Sequence, residues 1–341
     1  MGHRHPSVVK AIKEQVDKYL HVMVYGEYIQ SPQVAFAKLL TDHLPGTLNC
    51  VYFTNSGTEA TEGAMKLAKR VTQRPEIIGC YNGYHGSTQG ALSIAGGEWF
   101  KNSFRPLIPG TRQIRFNNLD DIKEISYHTA AVFLEPVQAE AGAVLPEPGY
   151  LEAIRERCNE TGTLLVFDEI QTGFGRTGPL FFFKQKDIVP DILLLGKALG
   201  GGMPLGAFIA DKGLMNEFSH DPVLGHITTF GGHPVSCAAG KAAMGVMFGS
   251  DMVGKVKEKE ALFRNHLNHP SIKAIHGQGL LLAVEVSGFE EVQRIIRNCI
   301  EIGLVTDWFL FNDKCLRIAP PLTISEDEIL QACEMINKAM R

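Results

Sequence analysis

Two neighbouring carboxylates, Asp168 and Glu169, directly follow the apolar segment 164–167. A short apolar segment of this kind predicts a buried strand, and the ligands of open parallel sheets collect at the carboxyl ends of the strands. Either acid could therefore act on a bound ligand. The alternative is that these acids cap the turn after the strand, and the segment alone leaves both interpretations open.

Lys197 follows a second, mostly apolar segment, 191–195, and precedes the glycine run 200–202. Lysine is seldom fully buried without a partner or a chemical task. Removal from water lowers the pKa of a lysine amine and makes it nucleophilic, and glycines let the backbone approach a bound group closely. The alternative is a lysine whose stem is buried while its ammonium group reaches solvent.

Ser56, Gly57 and Thr58 lie between a predicted strand and a predicted helix. Free N–H groups at a helix start, together with two hydroxyls, can hold an anion such as phosphate, although the same pattern is a common helix cap. A phosphate site, a strand-end acid and a strand-end lysine are what pyridoxal phosphate requires. The lysine condenses with its aldehyde, and the acid keeps its pyridine nitrogen protonated.

The elements that position these residues alternate between strand and helix, which predicts an α/β domain built on a parallel sheet. Amphipathic spacing predicts helices over 58–70 and 150–160. The predicted strands are residues 50–54, 77–80, 131–134, 164–167 and 191–195.

Both ends of the chain predict smaller units. Apolar spacing after Pro6 predicts an N-terminal helix, and Ser325 with Glu328 predicts a capping box before a C-terminal helix. We expect an N-terminal helical segment at 1–30 that packs near the small domain, a large domain at 31–248, and a small α+β domain at 249–341.

The composition is that of an ordinary globular protein, with 341 residues, 33 basic and 37 acidic side chains, and 45% hydrophobic residues. Since no basic cluster occurs, we expect no nucleic-acid partner. The longest nearly uncharged stretch, 192–210, contains Lys197 and glycines, which argues against a membrane span. Scattered cysteines and the absence of an apolar leader predict a cytoplasmic protein with reduced thiols, and no metal site is expected.

Taken together, the motifs resemble those of the class III, fold-type I aminotransferases, the acetylornithine and ornithine aminotransferase group. The resemblance runs in the family's order across nearly the whole chain. It implies a large, mostly parallel sheet domain with a smaller C-terminal α+β domain. The matching segments are 55–60, 84–86, 135–142, 168–178, 196–207, 228–234 and 317–322.

The resemblance also implies a role for individual residues around pyridoxal 5'-phosphate. Lys197 would be the Schiff-base lysine and would later move a proton between substrate and cofactor. Asp168 would pair with the pyridine nitrogen, Gln171 would approach the ring hydroxyl, and Tyr84 would stack on the ring. The further cofactor-binding positions implied are His85 and Glu135.

The phosphate site implied by the resemblance involves two subunits. Ser56, Gly57 and Thr58 would bind the phosphate in one subunit. Thr229 would complete that site from the partner subunit, so the resemblance implies a homodimer.

Glu140 and Arg317 suggest recognition of two different substrates. In the family, the arginine binds the α-carboxylate of glutamate or 2-oxoglutarate, and the glutamate covers that arginine when an amine without this carboxylate is bound. An arginine fork matches a carboxylate with two hydrogen bonds. The alternative is a static salt bridge between the two residues.

The expected reaction moves an amino group from an ω-amino donor to 2-oxoglutarate, giving glutamate and an aldehyde. Donors in the family's range are ornithine, acetylornithine, lysine and compounds like 4-aminobutyrate. Two other interpretations stay open: an aminomutase of the glutamate-semialdehyde type, and a non-catalytic dimer with the same fold.

Two departures from the family bear on the donor. Where acetylornithine and ornithine enzymes usually have an arginine that binds a substrate carboxylate, this chain has Ser87, which favours a diamine or another ω-amino donor over acetylornithine. Arg105 or Arg112 could compensate. Relatives also usually carry an additional N-terminal stretch that helps to line the pocket, so a shortened chain would have an incomplete pocket.

Overall fold

The computed structural model describes residues 1–23 and 27–341, and its centre is a seven-stranded sheet with the order β1-β7-β6-β5-β4-β2-β3. The central strands are buried on both faces, as their apolar sequences require. The strands of this sheet are β1 Cys50–Thr54, β2 Glu76–Cys80, β3 Thr111–Ile114, β4 Thr129–Leu134, β5 Leu164–Asp168, β6 Ile192–Leu195 and β7 Gly206–Ala210.

The sheet is mixed, because β7 runs antiparallel to both of its neighbours while β2 to β6 are parallel. All the predicted strands are present within a residue or two. Two strands lack a prediction: β3 at one edge, whose polar Arg112 and Gln113 give no apolar run, and β7, which directly follows the glycine-rich segment.

Helices cover the sheet, and the longest, α3, begins beside a strand end. Ser56 caps α3 by accepting a hydrogen bond from the N–H of Glu59. Gly63 of α3 lets the helix approach the sheet, since a Cβ there would come within 2.4 Å of the Phe208 ring. The helices in this part of the chain are α1 Pro6–Lys18, α2 Ser31–Thr41, α3 Gly57–Thr72, α4 Gln89–Ile94, α5 Tyr150–Thr161, α6 Phe182–Lys186, α7 Lys212–Met215 and α8 Pro234–Phe248.

A second sheet is formed by the C-terminal part of the chain, with the order β10-β11-β9-β8 and every neighbouring pair antiparallel. The capping box predicted for the last helix is present at Ser325 and Glu328. The elements are α9 Val256–His266, β8 Ala274–Gln278, β9 Leu281–Glu285, α10 Phe289–Glu301, β10 Asp307–Phe309, β11 Asn312–Ile318 and α11 Glu326–Ala339. These two sheets give the α/β class that the sequence predicts.

The N-terminal helix α1 packs on α8, where Val8 joins a small apolar cluster with Ala239 and Ala243. Helix α8 ends at Phe248, close to the predicted division between the two domains, and the domain limits stay a prediction. Within residues 1–23 and 27–341, no helix has both the length and the apolar character of a membrane span. The same residues contain no group of three or more His, Cys, Asp or Glu side chains that could hold a metal ion.

Candidate active site

A cavity of about 860 Å³ lies between the carboxyl ends of the central strands and the second sheet. This is the place where ligands of α/β sheets collect. Five of the predicted site residues line it: Tyr84, Glu140, Gln171, Lys197 and Arg317.

Lys197 begins a short 3₁₀ turn directly after β6, and its amine donates a hydrogen bond of 2.8 Å to Oε1 of Gln171. Its backbone φ is +45°, a strained conformation for a residue other than glycine, and such strain concentrates at functional sites. Partial removal of the Lys197 amine from water by the surrounding protein lowers its pKa. The negative charges of Asp168 and Glu135 act in the opposite direction and raise it. The side chain itself projects into the cavity.

Asp168 ends β5, and its register with Leu194 in the parallel strand β6 brings it to the same sheet edge as Lys197. Its side chain is buried, and each oxygen accepts one hydrogen bond. Oδ2 accepts from Nδ1 of His85 at 2.8 Å, and Oδ1 accepts from the N–H of Ile170 at 3.0 Å. A carboxylate has about four acceptor positions, so Asp168 retains capacity for a ligand.

His85, Glu135 and Asp168 form the buried carboxylate cluster beneath the cavity. Burial raises the pKa of Glu135 to about 7, although its oxygens accept hydrogen bonds from the N–H groups of Tyr84 and Ala139. Burial would lower the pKa of His85, but the hydrogen bond to Asp168 and the charges of Asp168 and Glu135 outweigh it and raise that pKa. His85 and Glu135 therefore hold protons more tightly than the free side chains would.

Glu169 has a different task from its neighbour Asp168. Its oxygens accept hydrogen bonds from the N–H groups of Phe182 and Phe183 at 2.8 and 2.9 Å and from the hydroxyl of Thr172. Burial raises the pKa of Glu169 to about 7. Glu169 therefore caps the start of α6, whereas Asp168 caps the turn after β5 through the Ile170 N–H and also lies beside the cavity.

The predicted phosphate site lies at the start of α3, next to the strand that carries the lysine. A Cβ on Gly57 would come within 2.7 Å of Ile170, which lines the cavity. The Thr58 hydroxyl lies 2.7 Å from that of Thr88. Gly86, with φ of +129°, lets the loop pass close to Thr58, since a Cβ there would clash at 2.2 Å. These contacts place the start of α3 against Ile170 of the cavity wall, although Ser56, Gly57 and Thr58 are not themselves among the lining residues.

Glu140 and Arg317 face each other at the opposite side of the cavity, and we refer to them as the rim pair. The guanidinium group donates two hydrogen bonds to the carboxylate, at 3.1 and 2.6 Å, and a third to the carbonyl of Trp308 at 2.9 Å. It also lies over the Phe309 ring, 4.5 Å from its centre. Arg317 Nε is buried and, within the described part of the chain, has no hydrogen-bond partner.

Comparison of the sequence with known proteins identifies the family to which this cavity belongs. The family model for aminotransferase class-III matches residues 1–340. The chain belongs to the class-III aminotransferases. It is 38% identical to the acetylornithine aminotransferase of Methanopyrus kandleri over all of this chain and 87% of the relative, and 38% identical to that of Methanosarcina mazei over 99% of this chain and 84% of the relative.

Solved structures give the same family and fold. An ornithine aminotransferase from Toxoplasma gondii, described with partial occupancy of PLP at its active site, superimposes with a TM-score of 0.91 at 30% identity, over 99% of this chain and 82% of that one. The adenosylmethionine-8-amino-7-oxononanoate aminotransferase of Methanocaldococcus jannaschii also gives a TM-score of 0.91, at 27% identity, over 98% of this chain and 85% of that one. The predicted resemblance and fold class are therefore confirmed, and this protein is a transaminase.

Thr229 of this class-III aminotransferase lies outside the cavity of its own chain. The residue is exposed, and its carbonyl accepts a hydrogen bond of 3.0 Å from the His21 ring. Its assignment to the phosphate site of a partner subunit stays a prediction.

Arg176 and Trp308 are among the cavity-wall residues of this class-III aminotransferase that sequence reasoning missed. Arg176 donates hydrogen bonds to the carbonyls of Leu280 and Pro320, and burial lowers its pKa to about 10. Trp308 lies at the cavity mouth. The signal available for Arg176 was its place in the glycine-rich turn after Asp168, whereas Trp308 belongs to a three-residue strand with no distinctive pattern.

Proposed function

We propose that this class-III aminotransferase uses pyridoxal 5'-phosphate to move an amino group from an ω-amino donor to 2-oxoglutarate. The donor's amine-bearing carbon is oxidised to an aldehyde, and the keto carbon of 2-oxoglutarate is reduced as it gains the nitrogen, which gives glutamate. The single observation that carries the proposal is the position of Lys197, whose amine projects into the cavity at the same end of the sheet as Asp168.

The donor set around the cavity fits pyridoxal phosphate. When bound, this cofactor supplies an aldehyde and a pyridine ring that accepts electrons. Asp168 has unused acceptor capacity for a ring N–H, Gln171 adjoins the lysine, and the helix start at Ser56 to Thr58 offers N–H groups to a phosphate. Tyr84 lines the same cavity and offers an aromatic face.

Lys197 would hold and move the proton at its Nζ atom. A lowered pKa leaves more of the amine neutral near pH 7, which is the form that attacks a carbonyl carbon and accepts a proton. Gln171 orients Nζ through the 2.8 Å hydrogen bond. Asp168, held in place by His85 and the Ile170 N–H, would keep a proton on the ring nitrogen.

The rim pair would distinguish the two substrates. Arg317 would bind a carboxylate of 2-oxoglutarate or glutamate, for which its guanidinium fork has the right geometry. Glu140 already satisfies that fork and would cover it when the amine donor is bound. A carboxylate substrate would therefore have to replace one bidentate contact with another.

We further propose that the active unit is a homodimer in which Thr229 completes the partner's phosphate site. Exposed apolar side chains near Thr229 support this proposal, because large apolar patches mark protein interfaces. Val223, Ile227 and Phe230 are 76%, 54% and 55% exposed.

The test is a pair of half-reactions. Holoenzyme mixed with glutamate should form 2-oxoglutarate in an amount equal to the bound cofactor, and the same enzyme should then turn over ω-amines only when 2-oxoglutarate is supplied. Turnover without any 2-oxo acid would instead indicate an aminomutase. Purified protein that stays colourless with pyridoxal phosphate would indicate a non-catalytic protein.

A further inference from the structure

A second, smaller cavity adjoins the active site. It holds about 260 Å³ and shares Tyr84 and Leu310 with the main cavity, so the two cavities lie side by side. A closed apolar cavity of roughly 150 Å³ is large enough for benzene. This side pocket therefore has room for a branched alkyl group or a phenyl ring.

No charged side chain lines the side pocket within the described residues. Its walls come from the segment before α4, from α4 itself, from the turns after α4, and from the residues that follow β10. The lining residues are Tyr84, Gly86, Ser87, Gln89, Leu92, Ala95, Gly96, Phe100, Phe104, Leu310 and Phe311.

Two hydroxyl groups in this wall form a hydrogen bond with each other. Tyr84 Oη and Ser87 Oγ lie 3.2 Å apart, within hydrogen-bond distance. Phe100 and Phe311 meet edge to face, with ring centres 5.4 Å apart, and form an apolar part of the wall.

The arginines nearest in sequence do not supply a positive charge to the side pocket. Arg105 pairs with Glu98, and Arg112 pairs with Glu76 and Glu124. Neither arginine lines the side pocket or the main cavity. Neither arginine therefore replaces, in this pocket, the arginine that related enzymes usually have at the position of Ser87.

We propose that the side pocket receives the uncharged end of the amine donor, so that the preferred donor is a primary amine with an alkyl or aryl tail. This inference rests on the proposed function and narrows its ω-amino donor. A carboxylate placed here would lose part of its hydration without gaining a counter-charge, whereas an apolar tail gains free energy from burial against the aromatic wall. Donors of the ornithine type, with a distal carboxylate, would be poor substrates.

The experiment compares two donors of nearly the same shape on the holoenzyme. 4-Methylpentan-1-amine carries an isopropyl group where 4-aminobutanoate carries a carboxylate. We expect kcat/KM for the alkylamine to exceed that for the amino acid by about a hundredfold. The non-reacting alcohol 4-methylpentan-1-ol should inhibit competitively, and 4-hydroxybutanoate should not, which provides a binding measurement independent of turnover.

Two variants and a matched control locate the effect in the side pocket. Ser87→Arg places a cation in the wall and should shift the donor preference toward 4-aminobutanoate by about tenfold or more. Phe104→Ala, at an exposed wall position that should tolerate truncation, should lower kcat/KM for the alkylamine selectively. Ser103→Arg adds the same charge outside the pocket and should leave the preference as in the wild type.

The outcomes separate this inference from the proposed function. If glutamate is converted to 2-oxoglutarate but 4-aminobutanoate is the better donor, the side-pocket inference is wrong and the proposed function stands. The inference is also wrong if Ser87→Arg and Ser103→Arg change the preference equally. If neither glutamate nor any amine reacts, both proposals are wrong.

Discussion

The buried carboxylate cluster and the rim pair both place acids beside a cation, yet they differ in their access to water. His85, Glu135 and Asp168 are 2%, 5% and 3% exposed, and the two oxygens of Asp168 are already held by groups of the protein. In the rim pair Glu140 is also buried, with 8% of its side chain exposed, and it is Arg317 that is more accessible, with 20% of its side chain exposed.

This difference separates a fixed part of the site from an exchangeable one. A group without water around it keeps its partners, because an unpaired buried charge is costly. A partly hydrated arginine can exchange one carboxylate for another, and Glu140 also accepts a hydrogen bond from the Leu310 N–H, which does not depend on Arg317. The cluster is thus suited to hold one cofactor permanently, and the rim pair is suited to alternate between substrates.

The largest effect is expected at Lys197, which projects into the cavity next to the fixed part. Lys197→Ala removes the amine that attacks the carbonyl carbon and carries the proton, so turnover should fall by roughly 10⁴-fold. The measurement is the steady-state rate at which glutamate forms from 2-oxoglutarate in the presence of an ω-amine donor. Lys212→Ala, which truncates an exposed lysine at the start of α7, is the control and should retain wild-type turnover. Substantial turnover in Lys197→Ala would contradict the proposed function.

The next prediction tests whether the adjacent acids Asp168 and Glu169 have different roles, one in catalysis and one in stability. Asp168→Asn keeps the size of the side chain but removes the charge that would hold a proton on a ring nitrogen, and kcat should fall by about 10²–10³-fold. Circular dichroism should show that the variant is folded.

Glu169→Gln is the matched comparison. Because an amide offers one acceptor oxygen to three donors, one of the hydrogen bonds that cap α6 is lost, and the free energy of unfolding should drop by about 1–3 kcal/mol. The kcat should stay near the wild-type value. Equal losses of kcat in both variants would refute the separation of roles.

Much of the fixed part of the site, and Lys197 next to it, was predictable from the sequence because these residues adjoin strand ends. Lys197 and Asp168 follow apolar runs, and parallel strands bring their carboxyl ends to one edge. Strand β7 gave no comparable signal, since it directly follows the glycine-rich segment, and β3 is a polar edge strand.

The side pocket and the cavity mouth were not predictable in the same way. Their walls combine α4 with residues that follow β10, from a different sheet, and no local pattern indicates that these segments meet. Trp308 and Leu310 come from a short, exposed segment without clear periodicity. The resemblance to a family identified Arg317 and Glu140, but not the aromatic ring of Phe309 under the guanidinium group.

The rim pair should show a smaller and more selective effect. Arg317→Gln removes the fork that would bind 2-oxoglutarate, so KM for this acceptor should rise about a hundredfold, while the amine half-reaction should change much less. The readout is each half-reaction measured separately.

Because Arg317→Gln also leaves Glu140 without its partner, the double variant Arg317→Gln/Glu140→Gln is the control. It should restore stability but not the affinity for 2-oxoglutarate. If the double variant recovers a normal KM, the rim pair is a static salt bridge.

The smallest effect on turnover is expected at Glu135, whose role should appear in the pH dependence of stability. Its pKa of about 7 in the folded protein lies above the ordinary 4.5, so the folded state holds this proton more tightly than the unfolded state. The Glu135 contribution to stability is therefore largest below pH 4.5 and falls by about 3 kcal/mol as the pH rises to 7.

Glu135→Gln removes that contribution, and the decline between pH 4.5 and 7 should become shallower. It should not vanish, because Glu169 has a similarly raised pKa and contributes a slope of the same sign. Urea unfolding at several pH values measures the slope. Parallel curves for the wild type and Glu135→Gln would mean that Glu135 is already hydrated or ionised, and that the fixed part of the site is less isolated from water than its burial indicates.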